Sequence, residues 1–385
     1  MHQRGSFVTT LLIVSLLVAC GSAPSRDGLT GAGGIEPAAL PSPALLGVYY
    51  GNQGWRMDQV QALEQWSGRK NAAVLLFTDW CSRNIKNLFA QQLPNIWNNR
   101  NVPIVTWEPF LCSGDSDDIE VRIARGEFDG YVTTWAEKLR SFLAGTDGIY
   151  GSSDDRRVYL RLAHEMNGDW YRWGAALGGN DPRDYVAMWA HVFDLVTNVV
   201  DPGGASGTPR ASRLSWIWCV NHQDVGGRTA ESFFPGRDRV DWIGIDGYNW
   251  GSSQTWSTWK SPAETFDPML ARVRSIAPDL PIALTEVASS SSGSATSGAG
   301  SKGGWVLDLT SYASSSGMRM VVWFDEDKET DWAVFGGSGG NGTVRIGRTS
   351  YRVYKEYPAA VANLTTSQIG NPRLLTDAQF VLGGP

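Results

Sequence analysis

Two glutamates, Glu165 and Glu286, stand where apolar runs give way to polar residues. A carboxylate at the end of an apolar strand is costly to bury without partners, so its presence there needs a reason. Two facing carboxyls can divide acid–base and nucleophilic work. One protonates a leaving oxygen while the other attacks the adjoining carbon, which is the division that hydrolysis of a glycosidic bond requires. Mutual repulsion and partial burial would raise the pKa of the acid, so that it keeps its proton near neutrality. At a separation of about 5–5.5 Å the reaction would retain configuration. The bland alternative is a pair of rim salt bridges. Aromatic residues flank both carboxyls, among them Trp170 and Tyr171 after the first. That company favours the catalytic reading.

Composition points the same way. The chain carries 18 Trp in 385 residues, more than a core needs. An indole offers a flat apolar face and one N–H donor, and a sugar ring has an apolar face and a polar rim. The net charge of -6 argues against nucleic acid, for which a basic footprint is expected. A hydrophobic content of 42% suffices for a large core, which excludes a disordered or fibrous chain.

The elements that must position these residues recur along 46–325. Eight β-rich runs read Leu46–Tyr50, Ala73–Phe77, Val102–Trp107, Val158–Ala163, Leu214–Val220, Trp242–Asp246, Ile282–Thr285 and Met320–Phe324. Helix-like stretches fall between them at Met57–Gln65, Phe128–Leu143, Arg183–Val200, Pro262–Ile276 and Trp305–Ser314. Near-continuous apolar strands are those buried on both faces. Eight strand–helix alternations predict an α/β fold, a (β/α)8 TIM barrel with a single catalytic domain over 44–357. An open doubly wound sheet is the competing fold, but no G-x-G-x-x-G follows the first strand and no phosphate loop occurs. In a barrel, reactive groups sit at the C-terminal strand ends. Those ends carry Asp79-Trp80, Trp107-Glu108, His164-Glu165, Asn221-His222, Asp246 through Trp250, Thr285-Glu286 and Trp323-Phe324-Asp325.

The run from Arg161 to Trp173, with His164-Glu165-Met166-Asn167-Gly168-Asp169-Trp170 at its centre, strongly resembles the acid/base motif of glycoside hydrolase family 26, a β-mannanase family. Phe234-Pro235-Gly236 and Val240 to Tyr248 resemble its sixth-strand region, Thr285-Glu286 its nucleophile, and Trp323-Phe324 with Asp331-Trp332 its eighth-strand region. The resemblance covers roughly 44–357.

It implies that Glu165 is the general acid/base and Glu286 the nucleophile. His164 would touch the sugar beside the scissile bond or orient a carboxylate, and Tyr248 would donate to Glu286. Trp323 would be the platform under the sugar whose bond breaks, and Trp170 would stack on the leaving-group side. Asn167 would bond a substrate hydroxyl or make an Asn-Gly turn. Trp107 and Glu108 sit on the same rim as candidate sugar contacts, as do Asn221 and His222. Arg161 would point into the barrel near the carboxylates. The substrate implied is a β-linked polysaccharide, first of all a β-1,4-mannan cut internally. Mixed-linkage β-glucan, β-1,3-xylan and the cell's own exopolysaccharide are alternatives, as is an inactive glycan-binding protein. No cofactor and no metal is implied, since two carboxylates and a water complete the chemistry.

Residues 1–19 read as an export signal, with Arg4 ahead of an apolar stretch too short for a comfortable span. Leu17-Val18-Ala19-Cys20 resembles a lipoprotein signal, which makes Cys20 a lipidation site and 20–43 a flexible tether to a lipid bilayer. The expected location is the outer face of the cell or the periplasm, and the expected state a monomer. Export permits disulfides. Cys81 and Cys112 each follow a predicted strand and could pair, leaving Cys219 as a buried thiol. The Ser/Gly-rich stretch 289–304 beside Glu286 should be mobile, as a lid or an incidental insertion. Residues 358–385 form a C-terminal tail that packs on the barrel or frays.

Overall fold

Eight strands close into one parallel barrel in sequence order, each paired with its chain neighbours and β8 returning to β1. They are β1 (Leu45–Tyr49), β2 (Ala73–Asp79), β3 (Val102–Glu108), β4 (Val158–Leu162), β5 (Leu214–Asn221), β6 (Trp242–Asn249), β7 (Ile282–Ser289) and β8 (Met320–Phe324). The computed structural model describes residues 44–384 apart from 115–117, 175, 178–180 and 365–368. The signal, the tether and Cys20 lie outside the described residues.

Closure excludes the open doubly wound sheet. Helices cover the barrel's outer surface, and their starts are written in the sequence. Asp181 caps the helix Pro182–Val200 and Ser261 caps Pro262–Ile276, each through a reciprocal capping box followed by Pro at the first helical position. Both helices bury one apolar face, the first with Tyr185, Trp189, Val192 and Val196.

Strand alternation divides the aromatic residues between the two faces. Trp107, Trp216, Trp218 and Trp242 lie on strands, Trp135, Trp189 and Trp305 on helices, and all seven are fully buried. Much of the Trp excess therefore packs the barrel against its helices.

Two strands run past their expected ends. β6 continues to Asn249 and β7 to Ser289. The pairing of β7 shifts by one residue, with Ile245 opposite Leu284 but Asp246 opposite Glu286, and with Leu284 opposite Val321 but Val287 near Trp323. One extra residue on β7 is a β-bulge, which re-aims side chains locally. Thr285 and Glu286 are successive residues, yet both reach groups inside the barrel.

Cys81 and Cys112 are joined by a disulfide across 31 positions, tying the loop after β2 to the loop after β3, and Cys219 is a buried free thiol. The stretch 289–304 is held at both ends. Ser289 accepts from Asn249, Ser290 Oγ and the Ser291 N–H meet Asp331, and Ser301 caps the helix Lys302–Ser315. The expectation of a mobile segment overlooked those partners, which come from loops distant in sequence. After β8 an exposed hairpin forms from β9 (Gly342–Ile346) and β10 (Thr349–Val353). The tail ends in the helix Asp377–Leu382, whose Phe380 is fully buried against Tyr159. Apolar burial thus anchors its end.

Candidate active site

At the C-terminal end of the barrel a cleft of about 770 Å³ is lined by Tyr49, Phe77, Glu108, Glu165, Trp170, Tyr171, Tyr248, Glu286, Phe324 and Trp332, among others. Loops from opposite sides of the barrel contribute to it.

Glu165 follows β4 on a backbone held in unusual conformations. Ala163 and Glu165 have φ of 44° and 54°, in the left-handed region that residues other than glycine seldom occupy. Such strain persists only where surroundings fix it. Here the Glu165 N–H donates to Cys219 O at 2.9 Å, Trp173 Nε1 donates to His164 O at 2.7 Å, and Tyr185 OH donates to Ala163 O at 3.1 Å. Trp170 Nε1 donates to Glu165 Oε2 at 2.8 Å. Gly168 permits this fold-back, because a Cβ there would stand 2.5 Å from the Trp170 ring. Burial, then the negative charges of Asp246 and Glu286, hold the Glu165 carboxyl well above the usual carboxylate range.

Glu286 is gripped on both oxygens. Arg161 donates to Oε1, and Tyr248 OH donates to Oε2 at 2.6 Å. Arg161 is itself fully buried and crosses the barrel interior, reaching Thr106 on β3, Asp246 on β6 and Glu286 on β7. Asp246 accepts from Thr285 Oγ1 at 2.6 Å, and Thr285 Oγ1 also lies 3.1 Å from Cys219 Sγ. Close approach among these groups leaves no room on the neighbouring strand, since a Cβ at Gly244 would lie 2.7 Å from Thr285 Oγ1. One buried cation thus orients two buried carboxyl groups and offsets part of their charge; burial, opposed by Arg161, pushes the Asp246 carboxyl up to about 7.

His164, Asp246 and Glu286 bring one ligand atom each within 4.8 Å of one another. Arg161 already supplies positive charge between Asp246 and Glu286. A metal cation there would meet the guanidinium, so the residues present do not fit a metal.

Other expected positions differ from the sequence reading. His164 is buried beneath the cleft, with Nε2 3.8 Å from Glu286 Oε1 and 3.2 Å from Tyr171 OH. Burial, and then the Arg161 charge, hold its imidazole pKa well below normal, so it is neutral at pH 7. Trp107 is 0% exposed, stacked on Trp135 at 4.0 Å and Trp80 at 4.8 Å. Alternation along β3 turns its ring outward, while Glu108 faces the cleft. Trp323 is likewise buried, against Trp305 and Tyr357. It cannot be the sugar platform, because on β8 it is Phe324 that faces the cleft.

Asn167 is also buried. Its amide donates to Asn221 O and Asp224 Oδ1, and its Oδ1 accepts from the Asn221 N–H. It locks the loop after β4 to the loop after β5 and does not face the cleft. Asn221 and His222 line the cleft, their side chains paired at 2.7 Å.

Trp332 belongs to the stretch that resembles the family's eighth-strand region. It also lines the cleft, with its ring 5.0 Å from that of Tyr248. Trp256 and Tyr49 line it too and were not singled out. Their strand-end and loop positions were visible in the sequence, but nothing local showed which ring turns inward.

The fold and site together define a (β/α)8 barrel with a carboxylate pair on its C-terminal rim, one member protected by burial and the other clamped by Arg and Tyr. The sequence model of glycosyl hydrolase family 26 matches residues 152–277, which include Glu165, Arg161 and Tyr248. The chain resembles that family in sequence through this middle stretch and in fold along most of its length. Endoglucanase H of Acetivibrio thermocellus is 30% identical over 298 residues, 75% of this chain and 28% of the relative. Mannan endo-1,4-beta-mannosidase A and B of Caldalkalibacillus mannanilyticus is 25% identical over 174 residues, 41% of this chain and 31% of the relative. The chain thus spans less than a third of the length of either. Among solved structures, the Bacillus subtilis mannanase BCman superposes with a TM-score of 0.54 at 15% identity, covering 87% of this chain and 90% of that one. A GH26 beta-mannanase from Bacteroides ovatus does so at 0.54 and 16%, covering 88% and 91%.

Proposed function

We propose that this protein is a retaining glycoside hydrolase that cuts internal bonds of a β-1,4-linked polysaccharide, mannan first among them. The observation that carries the reading is the unequal treatment of two carboxyls in one aromatic cleft: Glu165 is bonded by Trp170 and pushed by burial well above the usual carboxylate range, while Glu286 is clamped by Arg161 and Tyr248. In the first step Glu165 gives its proton to the glycosidic oxygen while a Glu286 oxygen attacks the anomeric carbon. The bond to the leaving sugar breaks and a glycosyl ester forms on Glu286. In the second step Glu165, now ionised, takes a proton from water, whose oxygen displaces Glu286 from the anomeric carbon. Two inversions give net retention. Arg161 and Tyr248 aim Glu286 and accept its return as a carboxylate leaving group.

A specific observation supports a second substrate, β-glucan. A relative matched over 298 residues carries an endoglucanase name, although that name belongs to a protein of which this chain spans 28%. The mannanase relatives match more weakly, at 20–25% identity. A panel of mannan, glucomannan, mixed-linkage glucan, β-1,3-xylan and exopolysaccharide, with product sizing, tests both readings. Oligomers of mixed length from mannan support internal cleavage of mannan. Glucan as the sole substrate transfers the proposal to the second reading, and no hydrolysis at all ends both. Glycan binding without turnover would make the protein a binding module.

The export signal and Cys20 support a lipid-anchored, exported enzyme. Palmitate labelling of the expressed chain, lost in Cys20→Ser, is the expected result, and labelling that persists in the variant removes the anchor.

A further inference from the structure

We infer that Trp256, on the loop after β6, is a sugar-stacking platform remote from the bond that breaks, and that it gives the enzyme its preference for long substrates. The inference rests on the β-glycanase reading above. Trp256 is 69% exposed, the highest value among the large hydrophobic residues described, yet it lines the cleft. An indole this exposed contributes little core burial, and its place in the cleft wall rather than its exposure alone sets it apart.

Its position is continuous with the reaction centre. Tyr248, which bonds Glu286, lies 5.0 Å ring to ring from Trp332. Trp332 meets the edge of Trp250 at 4.8 Å, and Trp250 lies 5.3 Å from Trp256. Four aromatic side chains therefore run without a break from the proposed nucleophile to solvent. Only the last one offers most of its surface to a ligand. A sugar chain threading the cleft would present C–H faces to such a row, and the outermost ring would meet a unit beyond the reacting one.

The loop that carries the ring is braced along its backbone. Asn249 Oδ1 accepts from the Gly251 and Lys260 N–H groups, Ser257 Oγ donates to Gly251 O, and the Ser252 N–H donates to Ser292 O. Trp305 Nε1 donates to Lys260 O and closes the base of the loop on a buried side chain. A ring on a braced loop binds with a smaller ordering cost than one on a free loop. These bonds involve the loop's backbone and small polar residues, so truncating Trp256 leaves them intact.

The test compares wild type, W256A and W256F on β-1,4-linked oligosaccharides of increasing length and on the polymer. W256A should lose about tenfold in kcat/KM on the longest oligomers and polymer, through KM, as expected for one lost stacking contact. The shortest cleaved oligomer should be unaffected, and W256F should restore most of the loss. Thermal denaturation should be unchanged in both variants. An equal loss at every length, or no loss at any, overturns the platform while the wild-type activity still upholds the β-glycanase reading. A wild type that hydrolyses none of the series overturns both.

Discussion

Trp170 Nε1 donates to Glu165 Oε2 over 2.8 Å from an indole that is itself 41% exposed at the cleft. One side chain therefore both tunes the proposed acid and presents a face to the substrate. The bond favours the ionised carboxylate and opposes the burial that keeps Glu165 protonated. W170F keeps an aromatic face and removes the donor. The Glu165 pKa should rise, so the alkaline limb of the kcat/KM profile should move to higher pH. A limb that stays in place would separate Trp170 from the acid.

Asp246 acts on the same carboxyl with the opposite sign. Its negative charge raises the Glu165 pKa, second only to burial. D246N removes that charge and keeps one acceptor oxygen, enough for Thr285 or Arg161 but not both. The alkaline limb should shift to lower pH and kcat should fall, with KM little changed. A shift in the same direction as W170F would contradict the charge assignment.

The two carboxylates differ in what their loss should cost. E286A should abolish turnover while binding of β-glycan persists, measured by affinity electrophoresis. E165Q should slow polysaccharide hydrolysis by about 10²–10⁴, and substrates with a good leaving group should be slowed far less in the first step. Proton NMR of early products should show retained anomeric configuration. An E286A protein with full activity, or inverted products, would sink the mechanism.

Glu108 faces the cleft, and burial followed by the Glu286 charge pushes its carboxyl up to about 8. The sign follows from linkage. An unfolded glutamate ionises near its ordinary 4.5, so between that value and about 8 the unfolded state is increasingly favoured and stability falls as pH rises. E108Q should match wild type in thermal stability at pH 4 and exceed it at pH 8. Identical curves at both pH values would place Glu108 in ordinary solvent.

The Cys81–Cys112 disulfide closes a loop with a sequence separation of 31. Chain-entropy reasoning assigns a crosslink of that span about 3.7 kcal/mol. Reductant should lower the unfolding midpoint of wild type, and the double variant C81A/C112A should already be lowered and insensitive to it. C219S should behave as wild type in this comparison, its thiol being free. Equal midpoints with and without reductant would remove the crosslink's contribution.

The sequence by itself determined the barrel and the rim. Strands buried on both faces must be near-continuous apolar runs, and eight of them alternating with helices favour a closed barrel over the open sheet that the pairing of β8 with β1 excludes. Because parallel strands end together on one face, Glu165, Glu286, Tyr248 and Trp170 were legible as neighbours before any contact was known. Tertiary structure alone decided which aromatic ring turns inward. Trp107 and Trp323 sit one residue from Glu108 and Phe324, and a period of two sends such neighbours to opposite faces. Strand ends read from composition carry an uncertainty of a residue, which is enough to exchange core for cleft. The bulge at Thr285-Glu286 lies deeper still, since it exists only as a mismatch of register among β6, β7 and β8. So does the grip of Arg161, which bonds residues 55, 85 and 125 positions away and is set by the barrel's diameter rather than by any local pattern.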